Sequence, residues 1–465
     1  MAPVGGKTMR NDLRTLIFAS VAVGCGDSGG RGDSAEATGT SPTAASLATL
    51  SDSTPTDPTG SGAADSGSTA GSNSDSQTEA TTQDPSAVTA SETDDPPKTD
   101  LGKQPDFAVP NCGGGGGGGM DPDFSYIWIA NSAQNTISKI DTQTLVELGR
   151  YMVRPDGQGS PSRTSVNLSG DVVTASRSGG FTKFHARVEN CVESNGMPGI
   201  QTSTDANFLP WDMEECRAWH TPMGYESQRP AAWTQGTFNQ ATCKYSDQKV
   251  WTSGNNNAGD GSVEVLLVNG DTGAIESTIP INGINPDFYG IYGAAVDKNG
   301  NFWGSQLSQG WLVFIDLQTK QTKQWPMATS GYGMTVDSKG YVWTCSSQAA
   351  RFDPMTEQWQ VVNAGGSGGC MEDGAGTLYM SGGAGDIVAL DTETLTVKKN
   401  YPVPQYVHGI SIDFYGYVWG VSMGTQAYRV DPADGQFQTF DGLVGAYSYS
   451  DMTGFALSNV GTPSG

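Results

Sequence analysis

Only three histidines, His185, His220 and His408, stand in a chain of 465 residues, so imidazole general-base chemistry has to centre on one of them. His408 lies five residues ahead of the phrase Asp413-Phe-Tyr-Gly416-Tyr-Val-Trp419. The same Asp-x-x-Gly-x-x-aromatic phrase recurs from Asp297, Asp337 and Asp373, and the residues five places ahead of those copies are Tyr292, Tyr332 and Gly368. Weaker copies add Ser162 and Gln228, and the segment near the C-terminus adds Ser450. Beside them Arg163, Arg229 and Asp451 replace the Gly of the better copies. If equivalent positions share one circle, Tyr292, Tyr332, His408, Arg163, Arg229 and Asp451 converge, which suits a small ligand. The alternative is an ordinary mixed polar lining in which Arg and Asp neutralise one another. Glu372 and Asp451 are the two acids that fall near His408 in this alignment, so an acid–base pair needs one of them.

Other chemistries find less support. No Cys-x-x-Cys occurs, and Cys/His zinc ligation is not expected. Glu189-Asn-Cys-Val-Glu193-Ser-Asn195-Gly196 has the alternating oxygen rhythm of a Ca²⁺ loop but lacks the bidentate Glu that should close it. A disulfide-stapled surface loop fits it equally. Trp211, Trp219 and Trp233 nearby are read as exposed rings, suited to stacking on a sugar or peptide or to capping a sheet edge.

The elements that must position these residues follow from the phrase itself. Its copies are 40, 36 and 40 residues apart from Asp to Asp, the period of a four-stranded propeller blade. A short apolar strand ends in a turn that uses Asp for a local hydrogen bond and Gly for φ > 0, and an aromatic strand follows. A third alternating strand such as Trp311-Leu-Val-Phe-Ile-Asp316 and a fourth polar one such as Lys323-Gln-Trp-Pro326 complete each unit. Helices are expected to be nearly absent. Four clear blades cover 289–442 and three weaker ones precede them. The unit 126–151 has no first strand, while Tyr449–Leu457 forms a surplus strand after the last blade. Pairing the two closes an all-β, seven-bladed β-propeller of four-stranded blades with no exposed edge. A monomer is expected.

Residues 1–24 read as a signal peptide, with Arg10 and Arg14 ahead of an apolar run that is too short to span a bilayer. Val23-Gly24-Cys25 is similar to a lipobox, so lipidation of Cys25 is expected, against an ordinary signal peptide with a chance cysteine. Residues 25–119 form a disordered Ser/Thr/Gly/Asp-rich tether that ends in seven glycines, Gly113–Gly119. Between Cys25 and Asn111 it carries 14 Asp and Glu against 3 Lys and Arg, part of a net charge of −24. Such a balance disfavours nucleic acid. Residues 120–465 form the propeller, with a disulfide-bearing insertion at 186–246. Six cysteines other than Cys25 permit 15 connectivities. Cys191 with Cys216 and Cys345 with Cys370 are the expected pairs, with Cys112 and Cys243 left by elimination. The expected place is the cell envelope, outer membrane or cell surface, with the membrane reached through the lipid anchor alone. A small molecule, a glycan or an envelope protein is the expected partner.

From Tyr126 onward the chain resembles the streptogramin (virginiamycin B) lyase group of seven-bladed propellers. The matching stretches are YGMTVDSKGYVW at 332–343, HGISIDFYGYVW at 408–419, ISKIDTQT at 137–144 and AYRVDPADG at 427–435. Residues 163–246 and the YSYSDMTG at 447–454 are similar to exported propeller lipoproteins of myxobacterial type. The resemblance implies a carbon–oxygen lyase that uses His and Glu at the channel mouth with Mg²⁺. His408 occupies the matching His-Gly position. The second strand that carries the acidic partner in that group is replaced by Phe302-Trp-Gly-Ser305, Val342-Trp-Thr-Cys345 and Val418-Trp-Gly-Val421. A binding or scaffold module is therefore the leading reading and a lyase the alternative.

Overall fold

The computed structural model describes residues 125–239, 244–256, 261–366, 368–449 and 451–460. The signal peptide, Cys25, the tether, Cys112, Cys243 and Ser450 lie outside them.

In four of the blades the phrase joins the innermost strand to the second, and its physical content is a carboxylate with several donors. The Asp337 carboxylate accepts the amides of Lys339 and Tyr341, both at 2.9 Å, and the indole N–H of Trp343 at 2.8 Å. Asp413 does the same for Tyr415, Tyr417 and Trp419, and Asp297 for Asn299, Asn301 and Trp303. One side chain thus satisfies the turn and locks the aromatic strand that follows. Register repeats with it, since Ala295 pairs with Trp303, Thr335 with Trp343, Met371 with Tyr379 and Ser411 with Trp419. Trp128, Trp251, Trp343 and Trp419, all on second strands, are among the largest fully buried side chains. Each is expected to contribute about 1.5–3 kcal/mol through burial.

Six four-stranded antiparallel sheets form. Their innermost strands are Pro161–Val166, Ser227–Trp233, Gly293–Val296, Gly333–Val336, Cys370–Glu372 and Val407–Ile412. Successive innermost strands pack side by side around the axis. The seventh sheet has three regular strands, Tyr126–Asn131, Thr136–Asp141 and Glu147–Met152. Its inner position is filled from the C-terminus. Asn131 bridges Ala446, the Tyr447 amide donates to Ala130 at 3.0 Å, and the Trp128 amide donates to Met452 at 2.9 Å. The ring is therefore a seven-bladed propeller closed by its own C-terminal segment.

Two sequence readings change here. The closing segment begins at Ala446, earlier than Tyr449, and the chain after Met452 turns into a helix, Phe455–Asn459. The stretch 186–246 is not one insertion. Arg217–Thr221 returns to the sheet as a fourth strand, Ser227–Trp233 opens the next blade, and Thr237–Asn239 pairs with Lys244–Ser246 in a separate hairpin. What remains as insertion lies between Phe184 and Arg217. Buried Glu214 and Glu215 organise it: Glu215 accepts the amides of Ser194, Asn195 and Gln201, and Glu214 those of Ser203 and Cys216.

Candidate functional site

Strand alternation and ring geometry decide which side chains meet at one end of the channel. Tyr292 and Tyr332 immediately precede innermost strands, and their amides donate to the ends of second strands, to Ser305 at 2.7 Å and Cys345 at 2.8 Å. His408 sits near the start of Val407–Ile412, and its carbonyl accepts the amide of Gly369 at 2.7 Å. In the neighbouring blade the equivalent position is Gly368, where a Cβ would come within 2.5 Å of Ser381 Cβ and 2.6 Å of the His408 carbonyl. That blade therefore contributes backbone only. The closing segment supplies two more rings through its period of two, with Tyr447 and Tyr449 facing the others while Ser448 between them accepts the Ala130 amide.

The result is an aromatic plug. The Tyr292 hydroxyl meets those of Tyr332 at 2.9 Å and Tyr447 at 2.7 Å, and Tyr332 and Tyr447 hydroxyls also touch. The His408 ring lies edge-on to Tyr332 with centroids 4.6 Å apart, and its Nδ1 shares a hydrogen bond with the Tyr406 hydroxyl at 2.9 Å. The Arg163 guanidinium lies face-on against Tyr449 and 5.0 Å from the Tyr292 ring centroid, and its Nη2 donates to the Tyr292 carbonyl at 2.5 Å. Arg229 covers Tyr289 and Tyr292, and Arg177 covers Tyr447. Each such cation–π contact is worth roughly 0.5–2 kcal/mol depending on desolvation.

Charge at this end is one-sided around Arg163. Burial, reinforced by Arg229 and Arg177, pushes its guanidinium well below the usual range. Burial also raises the Tyr292 hydroxyl, and it takes Tyr332 up to about 12. The phenols are thus neutral donors near neutrality. Among the described residues no carboxylate pairs with Arg163.

Of the six residues aligned from the sequence, Arg163, Arg229, Tyr292, Tyr332 and His408 meet here. Asp451 does not. Its carboxylate accepts the amides of Gly454 at 2.8 Å and Leu457 at 2.9 Å, so it holds the terminal helix, and burial pushes its pKa up to about 6. Glu372 also stands apart, accepting the amides of Ser338 at 3.0 Å and Gly376 at 2.8 Å, with burial raising it to about 7. Neither acid hydrogen-bonds His408. A cluster of donors and cations with no bonded carboxylate does not fit Mg²⁺, which takes oxygen ligands and favours carboxylates. Tyr447, Tyr449, Tyr406, Tyr289 and Arg177 escaped the sequence alignment. Of these, the Tyr-Ser-Tyr alternation at 447–449 is a signal that reveals two.

The remaining candidates are structural in placement. Glu193 turns to the Gly196 amide at 2.8 Å, Asn195 to the Met197 amide at 2.9 Å, and Glu189 faces Arg187 at 3.7 Å. Trp219 and Trp233 are not exposed: both are buried and donate their indole N–H groups to Gly270 and Ser165. Trp211 is half-buried, with Arg217 over its ring. Disulfides join Cys191 to Cys216 and Cys345 to Cys370, with Cα atoms 4.5 and 6.2 Å apart. Two such bonds are compatible with an oxidising, exported environment. No helix among the described residues is long and apolar enough to cross a membrane.

No protein-family model matches the chain, and no curated protein sequence matches it significantly. Solved structures similar to it include propellers. Virginiamycin B lyase from Staphylococcus aureus shares 13% identity over 61% of this chain and 84% of its own, with a TM-score of 0.40. AztD from Citrobacter koseri shares 11% over 70% and 97%, at 0.43. The Pan2 WD40 domain of Neurospora crassa shares 11% over 63% and 80%, at 0.44. At these identities the likeness is one of fold.

Proposed function

We propose that the chain is an exported, lipid-anchored propeller that binds a ligand at the aromatic mouth, as a binding or scaffold module of the cell envelope. The observation that carries the reading is the convergence of Tyr292, Tyr332, Tyr447, Tyr449, His408 and Arg163, from separate strands, at one end of the channel. Convergent polar groups on an aromatic wall are what small-ligand sites are built from. A glycan or metabolite array, followed by the same array on Tyr332→Ala, tests it. Loss of the bound species in the variant supports the mouth, and unchanged binding moves the site elsewhere.

The lyase alternative rests on His408 alone. Glu372 and Asp451, the two acids the alignment offers His408, are both committed to backbone amides, so neither completes an acid–base pair with it. Anchoring has its own test. A Cys25→Ser chain that leaves the detergent phase with its fold unchanged supports lipidation, and one that still partitions there removes it.

A further inference from the structure

Arg163 is an unusual buried cation. It is 1% exposed, and its Nε and Nη1 have no hydrogen-bond partner among the described residues. Only Nη2 is satisfied, by the Tyr292 carbonyl. A buried charge is ordinarily paired, because desolvation without a counter-ion costs more than the aromatic faces return. Here Tyr449 and Tyr292 supply the faces and no carboxylate supplies the charge.

The same end of the channel gathers further buried groups without partners. The hydroxyl of Tyr449, on the ring that stacks with Arg163, is one. The hydroxyls of Ser162, next to Arg163, and Ser305, whose carbonyl holds the Tyr292 amide, are two more. A guanidinium with free donors beside buried hydroxyls asks for an acceptor that carries negative charge.

We propose that the mouth takes a ligand through an oxyanion, a carboxylate or phosphate group, with Arg163 as its counter-ion and the tyrosines as walls for an attached ring. This rests on the mouth being the binding site and goes further by naming the ligand's chemistry. Arg163 Nε and Nη1 and the Tyr449 hydroxyl are the donors assigned to it. The neighbouring Arg229 and Arg177 add to the positive potential that draws the anion in.

Calorimetric titration of the full chain with benzoate, phenyl phosphate and neutral benzamide tests the assignment. At least one of the two anions is expected to bind tenfold or more tightly than benzamide, and the better of them separates carboxylate from phosphate. Arg163→Met should abolish that tenfold preference. It should also raise the melting temperature of the ligand-free protein, since an uncompensated buried charge is gone. Should Arg163→Met fail to fold, Tyr449→Phe removes a single donor and should still weaken the preferred anion several-fold. Equal binding of benzamide, no binding of either anion, or undiminished anion binding by Arg163→Met, or by Tyr449→Phe where that variant stands in, overturns the charge assignment. A neutral array ligand lost in Tyr332→Ala overturns it too while leaving the mouth as the binding site. An anion that binds tightly but survives Tyr332→Ala and Arg163→Met sinks both readings.

Discussion

The carbonyl oxygen of Ser448 occupies the space into which any side chain on Gly409 would have to project. The closing segment thus reaches its place only because the innermost strand of the last blade carries no Cβ there. Gly409→Ala should force the segment outward and cost about 1–3 kcal/mol of overpacking strain, read as a lower denaturation midpoint. Gly424→Ala is the control. The nearest atom to its added carbon is 3.7 Å away, so its midpoint should hardly move.

Removing residues 444–465 tests closure more bluntly. The first blade would lose the partners of Trp128, Ala130 and Asn131 and expose an unpaired inner edge. A single cooperative unfolding transition should give way to a broad or stepwise one in calorimetry. A truncated chain that melts as sharply as the whole one would mean that the segment decorates the ring and does not close it.

Asp337→Ala should leave the Trp343 indole and two turn amides without their acceptor. The expected loss is about 2–4 kcal/mol in urea unfolding, because the indole is buried. Asp337→Asn keeps an acceptor oxygen and should lose less. If the two variants are equally stable, the carboxylate's role in the phrase is misread.

Glu372 supplies a pH dependence. Burial raises its pKa from 4.5 to about 7, so the folded state holds the proton more tightly than the unfolded chain does. Its contribution is full below about pH 4.5 and is lost as pH rises through about 7, a change on the order of 3 kcal/mol. Glu372→Gln cannot ionise and should flatten that part of the stability–pH curve. An unchanged curve would show that Glu372 titrates normally.

How much of this was legible in the sequence depends on how local the cause is. Asp337 and Trp343 are six residues apart and interact within one hairpin, so the phrase announced its own structure and, by repetition, the ring. Tyr292, Tyr332 and His408 could be brought together because each precedes a copy of the phrase. Tyr447 and Tyr449 precede none. Counting five residues ahead in the closing segment selects Ser450 and passes over the two tyrosines on either side of Ser448. Asp451 was misdirected toward the mouth because its real partners, the amides of Gly454 and Leu457, belong to a helix that no propeller repeat foretells. Arg217–Thr221 was hidden behind the long excursion from Phe184, where nothing in the local pattern marks the return to the sheet.

Closure by residues 446–452 also sets a timetable. During synthesis the strands at 126–152 emerge ahead of the other blades, yet the partner for their inner edge is made only after all of those blades. Every later blade can zip up beside its predecessor as it appears, while the first must wait with that edge uncovered. Sealing of the circle therefore waits until every other blade has been made, couples sequence-distant ends of the domain, and is the slow, long-range step that high contact order imposes. The interval before it is when the nascent protein is open to mispairing with another copy or to capture by a holding chaperone.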